Sequence, residues 1–230
     1  MMSDDTHTGM DREVLARGDV MARARQRDGQ AATVLSDEAL LASRRAVIPD
    51  TFEGPLWVFG YGSLIWNPVI AFDQRIDALV QGYHRRFCMW TTIGRGSPDC
   101  PGLVLGLDQG GATKGQLFRI PSDKMISEID VLWRREMMAD SYRPVWVKAQ
   151  TAQGPITALS FAIRRNRPTY APRLSVEETA RIIHKAVGFV GPCRDYLEGT
   201  YGGLQKAGIT DRQMAQLLAW MNRLDKEQGA

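Results

Sequence analysis

The chain has 230 residues, of which 44% are hydrophobic, so it is long enough to bury a substantial core. Its 29 Lys and Arg nearly balance its 26 Asp and Glu, and the basic residues are scattered, so we predict no nucleic-acid partner. No apolar run approaches the ~20 residues of a membrane span, and the polar N-terminus lacks the apolar core of a secretory signal. We therefore expect a cytoplasmic protein that does not contact a membrane.

The cysteines and histidines are few and lie far apart in the sequence. They are His7, His84, Cys88, Cys100, His184 and Cys193. No Cys-x-x-Cys pair occurs, and an odd number of cysteines does not suit a disulfide framework. Because the residues lack the spacing of metal ligands, the sequence predicts no metal site.

Residues 1–35 are predicted to be a mobile N-terminal arm, and residues 36–230 a single domain. The arm is rich in Arg, Asp, Gln and Gly and shows little apolar periodicity. From Ser36 onward, apolar residues at helical spacing predict a short helix, which Pro49 and Pro55 end before the first strand.

A predicted strand then runs directly into a glycine-rich loop. Residues 57–59 form an apolar run typical of a buried strand, and Gly60 and Gly62 break it. Because glycine lacks Cβ, the backbone can adopt positive φ and approach a ligand closely, which leaves the N–H groups of residues 61–64 free to bind an anion. The loop is a candidate cradle for a carboxylate or an oxyanion, and an ordinary turn is the structural alternative.

Residues 78–92 are predicted to form a long strand that carries Arg85 and Arg86. Neighbouring side chains on a strand point to opposite faces, so one arginine should be solvated and the other should face inward. The inward arginine would pair either with an acid or with a substrate carboxylate.

The helix after Ser122, its predicted N-cap, carries an acid on its buried face. Apolar side chains recur at helical spacing, and the same series continues to Glu136. Burial of an unpaired carboxylate is costly and favours its neutral form, which makes Glu136 a candidate general acid or base. The structural alternative is an ion pair with a nearby arginine. The apolar positions are Met125, Ile129, Leu132 and Trp133, and the arginines are Arg134, Arg135 and Arg143.

The remaining elements complete an α+β pattern. Further strands are predicted at residues 103–107, 115–120, 142–149 and 156–163, with a turn at residues 108–111. A polar loop containing Tyr170 leads into helices, of which the first begins with a capping box at Ser175 and the last with one at Thr210. Strands dominate the middle and helices the C-terminal third, without regular βαβ alternation, so the fold class is α+β.

Three segments of this sequence resemble the ChaC-like γ-glutamylcyclotransferases, which act on glutathione. They are WVFGYGSLIWNP (57–68), GYHRRFCMW (82–90) and LWRREMMADSYRPVW (132–146). The likeness covers about residues 37–222. It implies a compact mixed β-barrel flanked by helices, a small-molecule substrate, and no metal, nucleotide or other cofactor.

The resemblance implies a carbon–nitrogen lyase of the amidine-lyase class, whose reaction is internal to the substrate. The free α-amine of a γ-glutamyl group attacks its own γ-carbonyl, which closes 5-oxoproline and expels an amine, Cys-Gly in the case of glutathione. The catalytic glutamate of the family corresponds to Glu136. Tyr170 is expected to bind the substrate, with Arg86 or Arg85 behind it. The loop that would hold the α-carboxylate or the oxyanion corresponds to Tyr61, Gly62, Ser63 and Leu64.

Three alternatives remain open. The same loop and base would serve other γ-glutamyl amines or amino acids. A non-catalytic regulator of cation transport, a role attached to the family's name, would be favoured by loss of the acid, but Glu136 is present. A thiol hydrolase using Cys88 and His84 is the third, since residues four apart on a strand share a face, although cysteine is usually a buried hydrophobe.

Overall fold

Five strands close into a barrel in the computed structural model, which describes residues 12–18, 22 and 34–228. They are β1 (Leu56–Gly60), β2 (Gln74–Thr91), β3 (Gly102–Ile120), β4 (Tyr142–Thr151) and β5 (Gly154–Ile163). Their order around the barrel is β1, β3, β2, β4 and β5, and β1 closes it by pairing in parallel with β5. The predicted α+β class with a mixed barrel is confirmed.

β1 separates two parts of the hydrophobic core. It pairs antiparallel with β3 along its whole length and in parallel with β5 at Val58. Successive side chains of a strand point to opposite faces, so Val58 packs in one cluster with Trp133, and Phe59 packs in another with Leu197. The chain leaves β1 at Gly60, and the loop that follows packs in both clusters, through Leu64 in the first and Tyr61 in the second.

A bend replaces the turn that the sequence predicts at residues 108–111. β3 runs through these residues, and its pairing with β2 continues on both sides of a register shift. Gly110 and Gly111 adopt φ of 99° and 69°, and Gly82 on β2 adopts φ of 82°. The turn prediction was therefore wrong, because the glycines let both strands bend together at a bulge, as barrel closure requires, without reversing the chain.

Helices flank the barrel and occupy most of the C-terminal third, as predicted. The described helices are α1 (Arg12–Arg17), α2 (Asp37–Val47), α3 (Met125–Glu136), α4 (Val176–Lys185), α5 (Cys193–Lys206) and α6 (Arg212–Gln228). A short 3₁₀ helix (Ser63–Ile65) follows β1, and a small hairpin of β6 (Val187–Gly188) and β7 (Gly191–Pro192) precedes α5. Within the described ranges, no helix combines the length and the apolarity needed to cross a membrane.

Two predicted helix starts are confirmed. The Ser36 hydroxyl accepts a hydrogen bond from the N–H of Ala39 and caps α2. Ser175 and Glu178 form the predicted capping box of α4, in which each side chain accepts from the other residue's N–H.

Two other predicted starts were wrong. α3 begins at Met125, with Lys124 in the N-cap position and no side-chain cap, so Ser122 does not cap it. Asp211 caps α6 in place of Thr210, because its Oδ1 accepts from the N–H of Met214 at 3.0 Å. Thr and Asp are both common N-cap residues, and the structure uses Asp, which is the more favoured of the two.

Most of the predicted N-terminal arm lies outside the described residues, so its mobility and the domain boundary at residue 36 stay predictions. The part that is described, α1, packs against α3. Leu15 on α1 is only 2% exposed and belongs to the same hydrophobic cluster as Trp133. This stretch of the arm is therefore docked on the domain.

A buried carboxylate on α3 holds α1 in place. Arg12 donates to both oxygens of Glu128, with Nη2 to Oε1 at 2.6 Å, and its Nη1 also donates to the Val69 carbonyl oxygen at 2.9 Å. Glu128 accepts a further hydrogen bond from the N–H of Ala71 at 2.8 Å. Burial opposes ionisation of Glu128, but the hydrogen bonds from Arg12 and Ala71 outweigh it and hold the pKa below its usual value.

We predict that Arg12→Ala lowers the free energy of unfolding by about 1–3 kcal/mol, because the buried Glu128 carboxylate loses its charged partner. Thermal unfolding of the full chain measures the loss. Arg45→Ala is the matched control, since Arg45 and Asp50 form an exposed ion pair that is worth at most about 1 kcal/mol. Equal melting temperatures for wild type and Arg12→Ala would show that the Arg12–Glu128 ion pair contributes no stability.

Candidate active site

The loop after β1 approaches its neighbours closely at two glycines. A Cβ at Gly60 would lie 2.9 Å from the ring of Phe118, and a Cβ at Gly62 would lie 3.2 Å from Leu105. Neither glycine has positive φ, and Gly62 has φ of −143°. Space is therefore insufficient for a Cβ at Gly60, and at Gly62 a Cβ would require Leu105 to shift slightly. The left-handed backbone that the sequence suggested is not adopted.

Three consecutive N–H groups of this loop lack a backbone acceptor. Among the described residues, the N–H groups of Gly62, Ser63 and Leu64 donate to no backbone carbonyl, whereas the N–H of Ile65 donates to the Gly62 oxygen at 3.0 Å. Successive unpaired N–H groups form a concave surface that attracts anions. The loop therefore has the arrangement that an anion cradle requires.

Glu136 is the last residue of α3 and faces the same space as this loop. Burial raises the pKa of its carboxyl group, and the neighbouring Arg135 cation opposes the rise only in part. Arg135 Nε lies 3.5 Å from Glu136 Oε1, beyond the usual hydrogen-bond distance, and its Nη1 donates to the Asn67 carbonyl oxygen at 2.8 Å. The Glu136 side chain is 15% exposed and weakly paired. A carboxyl group in this environment is suited to proton transfer.

Three tyrosines line the same cavity as Glu136. Tyr61 donates its hydroxyl proton to a backbone carbonyl of β5 at 3.1 Å, and Tyr142 donates to one of β3 at 2.5 Å. Burial is the main cause that raises the pKa of these two and of Tyr196, and the negative charge of Glu136 adds to it. All three hydroxyls therefore stay protonated.

Two adjoining cavities contain these groups. The smaller, of about 40 Å³, is lined by Glu136, the three tyrosines and residues 61–64. The larger, of about 450 Å³, shares four lining residues with it, so the two meet at the carboxylate. The shared residues are Ser63, Glu136, Tyr142 and Tyr196. The structure thus brings together the predicted base and all four predicted loop residues.

Sequence reasoning missed Tyr142 and Tyr196. Tyr142 lies in the third segment that carries the family resemblance, shortly after Glu136, and that proximity was a usable signal. Tyr196 lies on α5 and in no motif, and only the fold brings its hydroxyl to the loop, where it would be 3.7 Å from a Cβ at Gly62. No sequence pattern identifies such a residue.

The family model described as ChaC-like protein matches residues 56–224. The chain belongs to the ChaC-like family. A relative from Escherichia coli (strain K12), named glutathione-specific gamma-glutamylcyclotransferase, is 36% identical over 187 residues, which cover 81% of this chain and 80% of the relative. A relative from Rattus norvegicus, named glutathione-specific gamma-glutamylcyclotransferase 1, is 33% identical over 147 residues, which cover 62% of this chain and 66% of the relative.

The ChaC-like fold is also found in a solved structure. A crystal structure of a γ-glutamyl cyclotransferase specific to glutathione from yeast superposes with a TM-score of 0.67 at 22% identity. The match covers 74% of this chain and 97% of the yeast chain. At this identity the likeness concerns the fold, and the barrel predicted from the resemblance is confirmed.

The structure places Arg86 and Tyr170, both expected at the substrate of this ChaC-like protein, in a buried ionic cluster. Asp108 Oδ2 accepts from Arg86 Nη2 and from the Tyr170 hydroxyl, each at 3.0 Å, and Asp108 Oδ1 accepts from Arg165 Nε at 2.6 Å. Among the described residues that line the two cavities, neither Arg86 nor Tyr170 is found. Arg86 pairs with an acid, which was the structural alternative for the inward arginine, but the prediction that its neighbour would be solvated was wrong, because the Arg85 side chain is only 8% exposed.

This cluster also binds the backbone of the segment that follows Thr169. Arg86 also donates to the carbonyl oxygens of Ala171 and Pro172, at 3.2 and 3.0 Å. Thr169, just before this segment, lines the larger cavity. The cluster therefore anchors the segment beside one wall of the cavity to the barrel.

The burial of Cys88 argues against the thiol hydrolase alternative. Cys88 is fully buried, and burial raises the pKa of its thiol to about 12, so the thiolate is scarce near neutral pH. His84 Nδ1 lies 2.8 Å from the carbonyl oxygen of Gly110 on the bend of β3. In the part of the chain that the structure describes, no group of three or more His, Cys, Asp or Glu side chains is placed to hold a metal ion.

We predict that Asp108→Asn lowers the free energy of unfolding by about 3 kcal/mol, because the buried Arg86 loses its charged partner. Burial opposes ionisation of Asp108, but hydrogen bonds from Arg165, Arg86 and Tyr170 lower its pKa to about 2. A depressed carboxyl pKa stabilises the fold above the unfolded-state pKa near ~4, and this contribution is lost as the pH falls toward ~2.

Urea unfolding at several pH values measures both effects. Wild type should lose part of its stability between about pH 4 and pH 2, and Asp108→Asn should lack that part of the pH dependence. Asp73→Asn is the control, because Asp73 pairs with Arg119 in a partly exposed position. An Asp108→Asn variant with wild-type stability and pH dependence would contradict the anchoring role of the cluster.

Proposed function

We propose that the chain is a γ-glutamylcyclotransferase, a carbon–nitrogen lyase, that converts glutathione into 5-oxoproline and Cys-Gly. The observation that carries the proposal is the position of Glu136, a weakly paired carboxylate that shares a small cavity with the unpaired N–H groups of residues 62–64. The names of the Escherichia coli and Rattus norvegicus relatives support glutathione as the substrate. The cytoplasmic location stays a prediction from the sequence.

The reaction needs one group that moves protons and one that stabilises negative charge. Glu136, as the carboxylate, removes a proton from the α-ammonium of the γ-glutamyl group, and the free amine attacks the γ-carbonyl carbon. The new C–N bond forms, the amide C–N bond breaks, and the two protons lost by the attacking nitrogen equal the two gained by the departing nitrogen. Because both nitrogens belong to one substrate, a single carboxylate can carry these protons between them.

The loop of residues 61–64 supplies the charge stabilisation. The N–H groups of Gly62, Ser63 and Leu64 would hold either the substrate α-carboxylate or the oxyanion that develops on the γ-carbonyl. Tyrosine hydroxyls, kept protonated by their raised pKa, lie at the same wall. The carboxylate and the donors thus face each other across the space where the reacting carbonyl would lie.

The larger cavity provides room for the leaving group. Its volume of about 450 Å³ is within the range of small-molecule sites. Trp66 and Trp90 give it apolar walls, Arg135 gives it a cation, and Arg167 is paired there with Asp140. This combination suits a dipeptide that ends in a carboxylate, and it supports glutathione over smaller γ-glutamyl amines.

Mass spectrometry of the products tests the activity. Purified protein incubated with glutathione should release 5-oxoproline and Cys-Gly in equal amounts, with and without EDTA, because no step is assigned to a metal. γ-Glutamyl-alanine should be converted with a lower kcat/KM. Absence of 5-oxoproline from both substrates would overturn the proposed activity, and a higher kcat/KM for γ-glutamyl-alanine would overturn the proposed specificity.

We predict that Glu136→Gln retains the wild-type melting temperature and loses about 10²–10⁴-fold or more in kcat, since Gln preserves shape but does not accept the proton. Glu128→Gln is a matched control on the same helix. It removes the charge that pairs with Arg12, so its melting temperature should fall while its kcat stays near wild type.

The pair of variants separates a catalytic carboxylate from a structural one. If Glu136 served only as a partner of an arginine, Glu136→Gln would behave like the control, with reduced stability and nearly unchanged turnover. A folded Glu136→Gln enzyme that keeps more than about a tenth of wild-type kcat would remove Glu136 from the mechanism.

A further inference from the structure

A buried arginine contacts the anion-binding loop from behind. The Arg85 side chain is 8% exposed, and its Nη1 donates to the Tyr61 carbonyl oxygen at 2.5 Å. Arg85 is absent from the described residues that line the two cavities, which do include Tyr61 and Gly62. The arginine therefore approaches the loop from the side opposite the site.

This contact determines where the next N–H points. The Tyr61 carbonyl and the Gly62 N–H belong to one peptide group, which is planar, and no cis peptide bond occurs among the described residues. In a trans peptide the C=O and N–H bonds point in opposite directions. Because Arg85 holds the carbonyl at the back of the loop, the Gly62 N–H is directed forward, toward the cavity that contains Glu136.

Arg85 is itself held by two other elements. Its Nε lies 3.0 Å from Asp211 Oδ2, and its Nη2 donates to the carbonyl oxygen of Lys114 on β3. Asp211 is fixed in turn, because its Oδ1 accepts from the N–H of Met214 at the start of α6. The guanidinium thus joins the loop, the barrel and the first turn of the C-terminal helix.

We infer that Arg85 is a positioning residue that orients the Gly62 N–H toward the reacting substrate, and that Asp211 fixes Arg85 in this role. The inference rests on the proposed function. A planar guanidinium presents donors in fixed directions, and here Nη1 and Nη2 donate to backbone carbonyls while Nε faces the Asp211 carboxylate. Lysine, a single point charge on a flexible stem, would not make all three contacts. The adjacent Arg86 cannot substitute, since its donors are used by Asp108 and the segment after Thr169.

The test compares Arg85→Gln with Arg44→Gln in kcat/KM for glutathione and in melting temperature. Arg44 is a matched control, because it is 2% exposed and donates to a backbone carbonyl and to carboxylates, remote from the loop. Both variants should lose melting temperature, but only Arg85→Gln should lose about 10²-fold in kcat/KM below its melting transition, as expected for one lost anion-stabilising donor. Arg85→Lys should recover part of the melting temperature but little of the activity.

Asp211→Asn provides a second variant that keeps the helix cap. Asn caps helices as well as Asp does, so α6 should remain formed, while Arg85 loses its charged partner. Asp211→Asn should lose melting temperature because the buried Arg85 loses its charged partner, and a fall in kcat/KM measured below its melting transition supports the inference and also decides it if Arg85→Gln does not fold. Wild-type kcat/KM in folded Arg85→Gln or in Asp211→Asn would overturn it.

The orientation of the peptide group distinguishes failure of this inference from failure of the proposed function. A crystal structure of Arg85→Gln, or of Asp211→Asn if the former does not fold, should show a rotated peptide between Tyr61 and Gly62. An unrotated peptide would overturn the positioning role whatever the substrate. A wild-type protein that cyclises no γ-glutamyl compound would overturn the proposed function, and the peptide orientation would then decide the positioning role alone.

Discussion

The carboxyl group of Glu136 lies where ionisation costs free energy, and the surrounding groups leave that cost largely uncompensated. The apolar stripe of α3 is buried against the barrel and carries the acid into the cavity. Two of the nearby tyrosine hydroxyls donate hydrogen bonds to backbone carbonyls, and Arg135 donates one to the carbonyl oxygen of Asn67. The acid is therefore only weakly paired, with Arg135 Nε 3.5 Å away, and its pKa stays raised by burial.

Arg85 and Arg86 lie on opposite faces of β2, and each holds a different segment that lines the site. The side chains of β2 alternate, so Arg85 reaches the loop after β1 and Arg86 reaches the segment after Thr169. Each guanidinium binds backbone carbonyls and one buried or nearly buried carboxylate, Asp211 or Asp108. Two adjacent residues of β2 thereby link both walls of the cavity to the barrel.

The sequence was sufficient for the fold class, the family and the helical series that ends at Glu136, because apolar periodicity and local motifs determine these. It was insufficient where geometry decides between equivalent local patterns. The glycines of residues 108–111 suit a turn and a barrel bend equally, and only the continuing partner strand distinguishes them. Arg86 matched the motif, but whether a buried arginine meets a substrate or Asp108 depends on residues distant in the chain. Tyr196 reaches the site by helix packing alone.

The parallel pairing of Val58 with Leu159 has a consequence for the order of folding. The two strands are separated by most of the barrel in sequence, so their contact requires closure of a long loop, which is entropically costly and slow. β2 and β3 can pair earlier through their nearby segments, and β4 and β5 form a local hairpin. β1 has its register from β3, so this last closure completes the wall of the barrel beside the loop. Catalytic competence should therefore appear at the end of folding, after most secondary structure has formed.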